Sequence, residues 1–174
     1  MEIRTERLVV RPWRAEDAED AVRVYGDEDV AMWLSPAIQR VEDLAEMRGL
    51  LAEWERQQLD APAGRWAVER RSDSRVVGGI ALMVIPPWEQ DLEFAWQLAP
   101  DARGQGYAVE AARALDRWAL GHPGTDEVFA VVHATNQAGT AMARRLGMEW
   151  VGETEKYYER MLQVYRLRRA DLGA

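Results

Sequence analysis

Apolar and polar residues change period several times along the chain, and each change marks an element. Arg7 to Trp13, with Leu8, Val9 and Val10 inside it, reads as a first strand. Ala18, Ala21, Val22 and Tyr25 then share one face of a helix that Gly26-Asp27 breaks. Ser35-Pro36 starts a second helix, whose apolar stripe is Leu44, Met47, Leu51 and Trp54. A Pro/Gly loop spans Asp60 to Gly64. Arg65 to Arg70 is a strand with Trp66 and Val68 on one face, Ser72-Asp73-Ser74 a tight turn, and Arg75 to Val84 a nearly all-apolar and therefore central strand. After a loop from Pro86 to Asp91, Leu92 to Leu98 alternates as a strand that Pro100-Asp101 ends.

From Tyr107 the period becomes helical. Ala108, Ala111, Ala112, Leu115, Trp118 and Ala119 fall on one face, as far as Gly121-His122-Pro123-Gly124. Glu127 to His133 is a strand. Thr135-Asn136 caps a short helix with Ala138, Ala141, Met142 and Leu146 inward, and Gly147 stops it. Glu149 to Glu153 is a strand, Thr154 to Met161 a loop with Tyr157-Tyr158, and Leu162 to Arg168 the last strand. The predicted order is β-α-α-β-β-β-α-β-α-β-β, without internal repeats, in one α/β domain over residues 1–174.

The junction between the Leu92 strand and the Tyr107 helix carries chemistry. A helix start offers unpaired N–H groups and the positive end of the dipole, and Gly104 and Gly106 let a ligand approach the backbone. That combination suits phosphate, although two glycines equally suit a plain β–α turn. The dinucleotide fingerprint fails because Val109 fills its third glycine or alanine place, and the P-loop fails because no Lys follows the glycines.

Composition narrows the classes. Of 174 residues 48% are apolar, so the chain is globular. Lys plus Arg number 22 against 30 Asp plus Glu, a net charge of −8 that argues against a nucleic-acid partner and is compatible with cationic amines. No Cys is present, which removes disulfides, zinc-thiolate sites and a thiol nucleophile, and two His make no His-rich metal site. The charged start Met-Glu-Ile-Arg-Thr-Glu-Arg is no signal peptide, and the longest apolar run, Val76 to Ile85, is far short of the ~20 residues of a membrane helix. The expectation is a cytoplasmic protein without membrane partners, monomeric or homodimeric.

Arg103, Gly106 and Ala108 match Arg/Gln-x-x-Gly-x-Gly/Ala, and the segment resembles the acyl-CoA pyrophosphate loop of the GNAT N-acetyltransferases. Thr-Glu-Arg-Leu-x-x-Arg at the start, Val-Val-Gly-Gly-Ile at Val76 and the order of elements are similar to the branch that acetylates ribosomal-protein N-termini (RimJ/RimL-like). The resemblance implies the GNAT acyl-CoA N-acyltransferase fold, a central mixed, mostly antiparallel sheet of about seven strands flanked by about four helices. It implies acetyl-CoA as co-substrate, no metal, and an amine acceptor that is a small molecule or a protein N-terminus. Cofactor contacts then fall on Trp96, Gln97 and Leu98, on Arg103, Gly104, Gln105, Gly106, Tyr107, Ala108 and Val109, and on Asn136 for the pantetheine arm. Asn136 also suits a plain helix cap.

Departures from the family pattern bear on catalysis. Gly139 stands where Ser is usual, Ala143 where many members carry a Tyr acid, and Val131 where the ribosomal-protein enzymes have a glutamate base. Glu93 working through water and His133 are the two candidate bases, and Tyr157, Tyr158 or solvent the candidate acids. Phe94, Trp96 and Leu98 share the core face of their strand. Glu93, Ala95 and Gln97 share the other, which faces the acceptor if a bulge opens the strand. Trp33 and Trp54 are candidates for lining the acceptor site. The competing readings are a non-catalytic acyl-CoA sensor and a nucleotide-binding module.

Overall fold

The computed structural model describes residues 1–34, 40–57, 59–85, 91–157 and 160–173. Strands β1 (Ile3–Arg4) and β2 (Leu8–Pro12) precede helices α1 (Ala18–Tyr25), α2 (Glu28–Leu34) and α3 (Leu44–Arg56). Strands β3 (Gly64–Arg70), β4 (Val76–Val84) and β5 (Leu92–Leu98) follow, then α4 (Tyr107–Ala119), β6 (Glu127–His133), α5 (Gln137–Arg145), β7 (Glu149–Thr154) and β8 (Leu162–Arg168). The eight strands form one mixed sheet in the order β1-β2-β3-β4-β5-β6-β8-β7, with β5–β6 its parallel pair.

The described residues thus hold eight strands and five α-helices, against about seven and about four expected. Two local features account for the extra elements. The two residues of β1 pair with Val9 and Val10 of β2, too short a run to show a period. Gly26-Asp27 does break α1, but Asp27 immediately caps a new helix, its Oδ1 accepting from the Val30 N–H at 3.1 Å. Helix α3 begins at Leu44. Asp43 Oδ1 accepts from the Glu46 N–H at 2.8 Å, and the Glu46 carboxylate accepts from the Glu42 N–H at 2.8 Å. Ser35-Pro36, read as the start of that helix, lies outside the described residues.

The faces of the sheet follow from register. Gly79, Ala81 and Met83 pair with Gln97, Ala95 and Glu93, so these six share one face. Tyr25 of α1 packs there, so close that a Cβ on Gly79 would lie 2.3 Å from its hydroxyl. Ile80, Leu82, Phe94, Trp96 and Leu98 point the other way, where the Trp66 and Trp118 rings of β3 and α4 meet at 5.7 Å. Trp13, Tyr25 and Trp54 close the first layer with ring centroids 5.4–6.0 Å apart. Arg11 is buried beneath them, its two terminal nitrogens each 2.8 Å from Asp17 and Nε 2.6 Å from Glu69, which satisfies a charge that would otherwise be costly.

Candidate active site

The site begins with a defect in the sheet. β4 and β5 pair without a register break from Leu92 to Leu98, so the expected bulge in β5 is not how the strand opens. The opening lies on its other side. β5 and β6 are bridged at Glu93 and Phe129, and no further β5–β6 pair forms among the described residues. Toward their C-terminal ends the two parallel strands therefore separate into a wedge, and backbone groups there are available to pair with a third extended chain.

Each strand leads into a helix start beside the wedge. After β5, Gly104 (φ +74°) and Gly106 (φ +80°) hold left-handed conformations that side-chain-bearing residues rarely adopt, and Gly106 is the cap residue of α4. Gln105 is fastened by its own Nε2, which donates to the Asp101 carbonyl at 2.8 Å. Tyr107 turns its buried ring inward under the Arg7 guanidinium, 4.8 Å from the centroid, so it presents its backbone to the loop. Ala108 and Val109 are half-buried in the first turn. After β6, Asn136 Oδ1 accepts from the Gly139 N–H at 2.8 Å and caps α5.

A strap from the N-terminus grips the first of these starts. Glu110 accepts from the Thr5 hydroxyl at 2.6 Å, the Arg7 N–H at 2.8 Å and Arg7 Nε at 2.7 Å, while Arg7 Nη1 donates to the Gln105 carbonyl at 3.0 Å. Burial pushes the Glu110 carboxyl up, but the bonds from Thr5 and Arg7 outweigh it and hold it below its ordinary value. Thr5, Arg7 and Glu110 are not among the site residues the sequence points to. The Thr5-Glu6-Arg7-Leu8 opening was the available signal.

The Tyr25 face carries the candidate acceptor chemistry. Register places Phe129, Val131 and His133 beside Glu93 on it. Glu93 is half-buried at the apex of the wedge. His133 is exposed at its mouth, with Nδ1 2.8 Å from the Thr135 hydroxyl and its ring 5.8 Å from that of Trp33 in α2. Trp54, by contrast, belongs to the aromatic cluster under α1. Tyr157 is buried with Ile85, Leu162 and Val164, against Phe129 and Val131. Its hydroxyl donates to Asp91 Oδ2 at 2.7 Å and accepts from Lys156 Nζ at 3.1 Å. Burial and the Asp91 carboxylate raise the phenol above its ordinary pKa, against the opposing pull of Lys156. Tyr158 lies outside the described residues.

Not every cofactor candidate points at the wedge. The Gln97 side chain is buried and accepts from the Tyr25 hydroxyl at 3.4 Å, and its backbone pairs with Gly79 of β4. Trp96 is half-buried against Phe94, ring centroids 5.7 Å apart, on the α4 side. The Leu98 carbonyl accepts from Arg103 Nε at 3.4 Å. Among the described residues no group of three or more His, Asp or Glu could hold a metal ion, and no helix is long and apolar enough to cross a membrane.

Comparison with known proteins fits this arrangement. The family model for the acetyltransferase (GNAT) domain matches residues 7–149, and the chain belongs to that family, whose members are acyltransferases. It is 23% identical over 164 residues to an uncharacterised N-acetyltransferase, p20, of Bacillus licheniformis, covering 92% of this chain and 91% of that one. Among solved structures it is similar to a GNAT acetyltransferase from Bacillus anthracis (TM-score 0.78, 21% identity, 98% and 99% coverage). It is also similar to RimL, the ribosomal L7/L12 α-N-protein acetyltransferase solved with coenzyme A (TM-score 0.79, 14% identity, 99% of each chain).

Proposed function

We propose that this chain transfers the acetyl group of acetyl-CoA to a primary amine by direct attack in a ternary complex. The observation that carries the proposal is the wedge beyond the Glu93–Phe129 bridge, flanked by two helix starts. The donor's diphosphate would lie on the N–H groups of Gly104 to Val109. Its pantetheine would pair with the β5 backbone at Trp96 to Leu98 and pass Asn136, which brings the thioester between the strands. The amine would come from the Tyr25 face, past Trp33.

The chemistry asks little of the protein. Glu93, through water, takes a proton from the ammonium, and the amine lone pair forms the C–N bond at the thioester carbon. A β5 backbone N–H steadies the oxyanion. The nitrogen gives its second proton to solvent, the C–S bond breaks, and the thiolate leaves with a proton from solvent. Burial and two engaged partners suit Tyr157 to holding the apolar wall rather than to donating that proton. The apolar Phe129 and Val131 floor leaves the acceptor open between protein N-termini and small amines.

Thiol release from acetyl-CoA in the presence of an amine panel tests the reading. CoA binding without thiol release for any amine would favour the sensor alternative. Glu93→Gln keeps the shape and removes basicity, and turnover is expected to fall about 10²-fold with CoA affinity intact. Wild-type turnover in that variant transfers the base role to His133.

A further inference from the structure

Arg103 heads the loop read above as the diphosphate site, yet its guanidinium is engaged elsewhere. Nη2 donates to Asp27 Oδ1, Nη1 to Asp29 Oδ2 at 3.2 Å, and Nε to the Leu98 carbonyl. Asp27 Oδ1 also accepts from the Val30 N–H, so one carboxylate caps α2 and holds the loop arginine. The same helix carries Trp33 to His133. The neighbouring cations have other partners. Arg40 binds Glu28 and the Gly26 carbonyl, and Arg23 binds Asp20 and Asp101.

We propose that Asp27 is a positioning residue that partitions Arg103 between helix α2 and the donor's diphosphate, and so couples donor binding to the placement of Trp33 over the acceptor mouth. The proposal rests on the reading of Gly104 to Val109 as the diphosphate site. A diphosphate there offers the arginine fork acceptor oxygens of the kind it now finds on Asp27 and Asp29. The Arg103 side chain is 37% exposed, so its ion pairs are screened and the diphosphate competes on comparable terms. When Arg103 turns to the donor, α2 keeps its cap and loses its tether to the loop. By linkage, whatever loosens that tether strengthens donor binding.

Asp27→Asn retains an oxygen for the Val30 N–H and removes the charge. CoA affinity by calorimetry is expected to rise about fivefold, a gain of the size of one exposed ion pair. The gain should vanish when Arg103→Ala is added, and with S-acetyl-N-acetylcysteamine, a thioester without phosphates. Hydrogen exchange gives a second reading. CoA should raise amide exchange in Glu28 to Leu34 of the wild type, and Asp27→Asn should show that faster exchange before CoA is added. Unchanged or weakened CoA affinity in Asp27→Asn, or a gain that survives loss of Arg103, overturns the coupling. If Asp27→Asn melts too early to assay, Asp29→Asn, at the exposed arm of the fork, should give a smaller gain of the same sign, and no gain there overturns it equally. A wild-type protein that binds no CoA overturns the diphosphate reading itself and the coupling with it.

Discussion

At Gly139 a single missing side chain reports how tightly α5 is seated. A Cβ there would meet Val132 Cγ1 at 2.8 Å and Asn136 Nδ2 and Cγ at 3.0 and 3.1 Å. Val132 is β-branched and cannot swing away, and Asn136 is held by its cap bond to Gly139 itself. The place of the family's serine is therefore filled by the neighbours of the glycine. Gly139→Ser is expected to cost about 1–2 kcal/mol through overpacking, despite the better helix propensity of Ser. Denaturant unfolding measures the cost, and a variant as stable as the wild type would show that the contact relaxes freely. Residue types of this kind were legible in the chain, and their partners were not. The glycines at Gly104 and Gly106 announced a loop that needs positive φ. Nothing near Arg103 announced that its guanidinium would reach Asp27, 76 positions away. Tyr157 lies in a loop as its surroundings predict, but its burial is not legible there, because it depends on Ile85 and Val164, which reach it only through the folded sheet.

Elements were legible where pattern and punctuation agreed. The bounds read for β5, β6 and β8 coincide with Leu92–Leu98, Glu127–His133 and Leu162–Arg168, because each run alternates and is closed by turn residues. At α5, Met142 and Leu146 face the core as their spacing predicts, but the first turn is shifted. Ala138 is exposed while Gly139 and Ala143 are buried, since the glycine sits against Val132. The start of α3 was misplaced although Asp43 and Glu46 have capping-box spacing, because Ser35-Pro36 offered an earlier start. The junction of elements most exposed to test is the strap over α4. Thr5 and Arg7 bind a carboxylate in the first helical turn and the Gln105 carbonyl, so they stiffen the loop from outside the wedge. Arg7→Ala should lower CoA affinity about threefold to tenfold, within the range of a networked ion pair. It should also speed amide exchange from Gly104 to Glu110. Faster exchange with unchanged CoA affinity would show that the strap stabilises the helix alone.

The chain as a whole carries two opposing sets of carboxylates, and together they set how its stability depends on pH. Asp27, Asp91 and Glu110 are each pushed up by burial and pulled further down by hydrogen bonds, from Arg103 and Val30, from Lys156 and Tyr157, and from Thr5 and Arg7 respectively. Their folded pKa values lie below the unfolded ones, so their contribution is present above about pH 4 and is lost as pH falls through the folded values. Asp116 in α4 does the opposite. It is 2% exposed, its Oδ1 has no hydrogen-bond partner among the described residues, and burial raises its pKa to about 7. Here the folded chain holds a proton that the unfolded chain releases near pH 4, so stability is full below that point and declines until the pH passes about 7. At about 1.4 kcal/mol per pKa unit the decline amounts to a few kcal/mol, a large part of an ordinary domain's stability. Self-repulsion from the net charge of −8 acts in the same direction at high pH. Urea unfolding from pH 4 to 9 should therefore give a maximum on the mildly acidic side of neutrality. Asp116→Asn keeps the shape and removes the titration, so it should lie nearest the wild type at pH 4 and exceed it by a growing margin up to about pH 7. What remains of the alkaline decline in that variant is the part owed to net charge. Parallel curves for the two proteins across the whole range would mean that Asp116 is ionised in the folded chain at neutral pH, with a partner or water that satisfies it.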